Sequence, residues 1–230
     1  MENGKLDNTS YILDTLLQKS LAKQSTFTTT LEQFISLKKV MKFLIGNYKK
    51  QIKSYNGKIP LYYTENGVFE AKMQVGGDMI VFNMHSNVFA FDEKHWIWEN
   101  AYVKDDNRNG YCGVINVYSF LADSFKYKRF GDYGYIIARI FINREGFYFL
   151  EGNPDFGSFN KDFGTKALDM SILREIIQLI IQYTLEVDLL VPPLENVQLA
   201  TVEQMLAKMD QPKADTGKPM GFQSNTQYKK

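Results

Sequence analysis

The hydrophobic period of this chain changes at Pro60. Across residues 61–75 the apolar residues Phe69, Ala71, Met73 and Val75 alternate with Glu70, Lys72 and Gln74. A period of two gives a strand one buried face and one wet face. Asn66-Gly67, just upstream, accepts the positive φ angles of a tight hairpin turn, and Gly76-Gly77 supplies the next turn. Residues 79–84, 88–91 and 96–103 read as further strands of a β-meander, with turns near Ser86-Asn87 and Asp92-Glu93-Lys94. The 17 Phe, 14 Tyr and 2 Trp suit a pleated sheet and large packed surfaces.

Before Pro60 the period is that of helices. Ile12, Leu13, Leu16, Leu17 and Leu21 predict a short helix over residues 11–23, with Ser10 as its cap. The run STFTTTLEQ predicts a break, and Thr29 with Glu32 has the spacing of a capping box. A long helix over 31–55 follows, ended by Gly57 and Pro60. After the polar loop KDDNRNG, the residues Val114, Val117, Tyr118, Leu121, Ala122 and Phe125 fit a helical stripe and predict a helix over 114–127. Residues 133–142 and 147–151 predict a second hairpin. Asp169 or Ser171 can cap a final long helix, whose one polar stripe is Arg174, Gln178, Gln182 and Glu186, so that it packs deepest on the sheet. A short helix over 201–209 closes the chain.

The expected fold is therefore α+β: one antiparallel sheet of about six or seven strands, packed with helices from both ends of the chain. Residues 10–209 read as one domain, residues 1–9 as a disordered terminus and residues 210–230 as a flexible tail. One cysteine, Cys112, excludes an intrachain disulfide. The first residues lack a basic segment followed by an apolar run, and the most apolar stretch, 172–190, is broken by Arg174, Glu175 and Glu186. No secretory leader, no membrane span and a cytoplasmic location are the expectation.

Candidate chemistry is sparse. Both histidines, His85 and His95, flank Asp92, and the three form a candidate rim for a hydrolase or nuclease. Their spacing lacks a second pair of metal ligands, so strand-end residues are the preferred reading and neither a metal nor a cofactor is expected. Cys112 reads as a small buried residue rather than a reactive thiol. Arg139, inside an apolar strand, is a candidate reader of an anion or a partner's carboxylate. Residues 1–58 carry ten lysines against four carboxylates. Lys38, Lys39, Lys42 and Lys49 form the basic face of the long helix, able to contact phosphates or an acidic partner. In the tail, Met220 and Phe222 with Lys218 make a candidate docking anchor. No phosphate-binding loop, nucleophile elbow or kinase motif set is present.

The runs FNMHSNVFAFD, YCGVINVYSFLADSFKY and YGYIIARIFINREGFYFLEG resemble an uncharacterised family of bacterial proteins of Bacteroidetes type, over most of residues 10–205. The resemblance implies no activity, fold or site residue. The expected function is a non-catalytic intracellular binding or adaptor module with a protein partner. The alternatives are the His85/Asp92/His95 hydrolase or nuclease and a nucleic-acid-associated protein using the lysine helix, and a homo-oligomer is compatible with each.

Overall fold

The computed structural model describes residues 8–53, 58–152 and 154–188. Helix α1 (Asn8–Thr15) runs through a π-helical turn (Leu16–Ser20) directly into α2 (Leu21–Ile52). Six strands follow: β1 (Leu61–Glu65), β2 (Glu70–Val75), β3 (Asp78–Met84), β4 (Cys112–Leu121), β5 (Tyr135–Asn143) and β6 (Tyr148–Gly152). They form one sheet in chain order, and every neighbouring pair is antiparallel. Two short helices, α3 (Ala101–Asp105) and α4 (Ala122–Lys126), lie in the connections, and α5 (Met170–Glu186) follows the sheet. The fold is α+β with six strands in the described residues.

Turn chemistry holds the meander in register. Gly67 takes φ 73° in the β1–β2 turn, and Gly76 takes φ 62° in the two-residue β2–β3 turn that leaves Val75 opposite Asp78. Both are left-handed conformations that glycine adopts without a Cβ clash. Asp169 is the cap of α5: its Oδ1 accepts the N–H groups of Ser171 and Ile172, both at 2.8 Å. Helices α2 and α5 cover one face of the sheet. Phe34, Leu37, Met41 and Leu44 pack with Ile172, Leu173, Ile176, Ile177 and Ile180 over Met73, Ile80, Phe82, Ile115 and Ile140. Each such side chain contributes about 1.5–3 kcal/mol when fully buried.

Four local expectations are corrected. The helix break at STFTTTLEQ is absent, because the hydroxyls are satisfied inside the helix. Thr26 donates to the Ala22 carbonyl at 2.9 Å and Thr30 to the Thr26 carbonyl at 2.7 Å. Thr29 sits mid-helix and donates to the Arg144 carbonyl at 2.9 Å, so no capping box forms. The helix expected over 114–127 is β4 up to Leu121, and only the short α4 is helical. Val114 packs on one face of the sheet while Ile115 and Val117 pack on the other. A strand buried on both faces loses its visible period of two. Residues 88–91 give a single bridge, Phe89 to Cys112. Residues 96–103 are helical turns, since Asn100 Oδ1 accepts the Tyr102 N–H at 3.0 Å and starts α3.

The excursion between β3 and β4 makes a second core on the other face of the sheet. Ile97 and Val103 come from the excursion, Cys112, Val114, Phe141 and Phe149 from the strands, and Phe163 from the segment before α5. The short terminal helix, the ending of the long helix near Tyr55 and the tail anchor Lys218, Met220 and Phe222 lie outside the described residues.

Candidate functional site

The two histidines separate in the fold. His85 follows β3 directly, and its Nδ1 accepts the Asn87 N–H at 3.0 Å while its ring meets Phe89 edge-on at 4.8 Å. His95 lies at the rim of the second core, stacked on Phe91 at 4.4 Å. Asp92 belongs to neither ring. Its Oδ1 accepts the Lys94 N–H at 3.0 Å, and its carbonyl accepts the Trp98 Nε1–H and the His95 N–H, both at 2.9 Å. It therefore shapes the turn.

The partner of His95 is a carboxylate the sequence does not single out. Its Nε2 stands 3.4 Å from Glu151 Oε1, and Arg139 donates to the other oxygen of the same carboxylate. Arg139 and Glu151 are cross-strand neighbours on β5 and β6, so the strand register itself brings them together. His95 Nδ1 accepts the Ile97 N–H at 3.3 Å, capping the turn Trp96–Glu99. The two contacts together assign the lone pair to Nδ1 and the N–H facing Glu151 to Nε2. Both ring nitrogens are occupied.

The remaining titratable groups are fixed in a similar way. Cys112 is fully buried in β4, not at a helix N-terminus, and burial pushes its thiol well above the ordinary range. Asp106 accepts the Arg108 side chain at 2.8 Å and Arg144 at 2.9 Å, and these guanidinium groups hold its carboxyl well below the usual carboxylate range. Asn143 is wholly buried at the end of β5. It donates to the Tyr102 hydroxyl at 3.0 Å and the Asn109 carbonyl at 3.2 Å, and accepts the N–H groups of Glu145 and Phe147. It ties the β5–β6 turn to the excursion. Among the described residues no three His, Cys, Asp or Glu side chains come together to hold a metal ion.

No family model, no curated protein and no solved structure matches this chain. Its surfaces therefore carry the functional argument. The lysine face is not uniform. Lys38 is buried: its amino group donates to the carbonyls of Gly67 at 2.9 Å and Val68 at 3.0 Å and lies over the Phe34 ring. It pins α2 to the β1–β2 hairpin. Lys39 and Lys42 are exposed in a shallow cleft that also holds Glu65, and Lys49 lies over the Tyr62 ring. A larger cleft of about 800 Å³ at the β2–β3 turn mixes Lys58, Lys126 and Arg129 with Asp78, Asp123 and Asp188, and no histidine or cysteine lines it.

The most unusual surface is at the start of the described chain. Helix α1 and the π turn bury none of their residues. Tyr11 is 70 % exposed and Leu17 68 %, and Ile12, Leu13, Leu16 and Leu21 are each more than half exposed. The spacing of the five aliphatic residues is legible in the sequence as one side of a helix. That nothing in the described chain covers them is visible only in the fold.

Proposed function

We propose that this protein is a non-catalytic binding or adaptor module of the cytoplasm, acting through protein–protein contacts. The observation that carries the reading is the apolar face of α1 and the π turn, exposed along its whole length. Five large aliphatic side chains left uncovered on one short helical segment, with Tyr11 beside them, exceed what a monomer ordinarily leaves in water. Leaving each of them uncovered forgoes about 1.5–3 kcal/mol of burial. The fully engaged ring of His95 supports this reading over the hydrolase or nuclease alternative, and the burial of Lys38 takes one charge from the nucleic-acid alternative. No described helix is long and apolar enough to cross a membrane, which is consistent with a partner in water.

A photo-activated cross-linking residue placed at Leu17 tests the reading in cells. Adducts to protein chains are expected from this position, and none from a matched probe at the exposed Lys104. Absence of any protein adduct at Leu17 would overturn the reading.

A further inference from the structure

The π turn does more than extend the helix. In an α-helix a side chain lies over the one four residues on, and in a π turn over the one five residues on. Ile12 and Leu16, and Leu16 and Leu21, are therefore neighbours on one side of the helix, with Leu13 and Leu17 beside them. The turn Leu16–Ser20 thus keeps five aliphatic side chains on a single face. A cleft of about 650 Å³ beside Ser20 mixes Phe27, Val88 and Phe89 with Lys23, Gln24 and Asn87.

We infer that this face pairs with the same face of a second copy of the chain. The inference rests on the protein-contact reading above and names its partner. Three observations favour a second copy. The first is the sequence just ahead of the helix. The first seven residues offer only Met1 and Leu6 as large apolar groups.

The second observation is charge. Asp14 and Lys19 are the only charged residues in segment 8–22. Two copies therefore meet without net repulsion. A lipid surface selects a polar face rich in lysine and arginine, which this helix lacks. The third is area. One stripe offers several hundred Å² of apolar surface, and two of them bury on the order of 1,000 Å², the threshold of a specific interface. An aliphatic face of this kind is complementary to itself, as a two-fold contact requires.

Sedimentation equilibrium of the full chain at about 1–100 µM, beside the cross-linking at Leu17, tests the inference. The wild type is expected to be a dimer, and the Leu17 adduct to have twice the chain mass. The double variant Leu13→Asp/Leu17→Asp is expected to dissociate at least about 100-fold more readily, because it buries uncompensated carboxylates. Neither side chain packs on the chain's own core, so the variant should keep its far-ultraviolet circular dichroism. Leu13→Ala/Leu17→Ala, which adds no charge, should weaken the dimer less. A wild type that stays monomeric overturns the inference, as does a dimer that survives the Asp variant. Adducts only to a different protein overturn it and leave the protein-contact reading standing. Adducts to no protein, or flotation with anionic phosphatidylserine vesicles that the Asp variant abolishes, overturn both.

Discussion

Single side chains in this protein are chosen by what they touch rather than by residue type. Of the four lysines on one helix face, Lys38 alone is buried, with two carbonyls and the Phe34 ring around its amino group. Lys38→Ala removes both hydrogen bonds and the 3.6 Å ion pair with Glu65, while the exposed Gly67 and Val68 can turn their carbonyls to water. It should destabilise the fold by about 1–2 kcal/mol in urea denaturation, whereas Lys39→Gln and Lys42→Gln should each stay within about 0.5 kcal/mol. The Cys112 thiol should react with a disulfide reagent only as fast as the protein unfolds, because burial removes both access and thiolate. Rapid labelling of the native protein would contradict the second core. Asp106 gives a pH dependence. Its folded pKa lies below the unfolded value, so its contribution is fully present above the unfolded pKa and is lost as pH falls through the folded one. Asp106→Asn should lower stability at pH 7 by about 1–3 kcal/mol, and the gap to wild type should narrow as the pH is taken below about 4.

Elements are decided by neighbours as often as by their own pattern. Helix α2 approaches β4 so closely that a Cβ built on Gly113 would stand 2.3 Å from Thr30 Oγ1 and 2.8 Å from Thr30 Cβ. Gly113→Ala must therefore push the helix off the sheet. It should destabilise by several kcal/mol or prevent folding, read as loss of soluble yield and of melting temperature. The threonines that look like a helix break are what this close contact needs: small at the surface of β4, with hydroxyls turned back on their own helix. Residues 114–121 show the opposite conflict. Val114, Val117 and Leu121 have helical spacing, but the β-branched run extends between two cores and becomes the central strand β4.

The whole molecule is a six-stranded meander with unequal cover. Helices α2 and α5 span one face, while the excursion between β3 and β4 covers the β4–β6 part of the other. Amide exchange should rank accordingly, slowest in β3, β4, β5 and α5, whose residues are most deeply buried, and faster at the edge strand β1. The informative segment is α1. It should exchange within seconds in the Leu13→Asp/Leu17→Asp variant and be protected in the wild type, if a second copy covers it. Equal, fast exchange in both proteins would contradict the pairing.

The sequence by itself determined what local chemistry can encode. The period of two after Pro60, the Asn66-Gly67 and Gly76-Gly77 turns, the hairpin of β5 and β6 and the Asp169 cap of α5 each arise from backbone preferences within a few residues. Those signals suffice for an α+β fold with an antiparallel sheet. The tertiary structure alone decided which apolar residues are covered. It turned one helical-looking segment into a strand by burying both its faces, left residues 88–91 with a single bridge, and turned residues 96–103 into helical turns by side-chain capping. It also separated His85 from His95 and gave His95 to Glu151, a residue 56 positions away. Burial and partnership depend on contacts between distant segments, and the period of a sequence reports only that a face is apolar. It does not report what meets that face, which is why the stripe of α1 is legible in the sequence and its exposure is not.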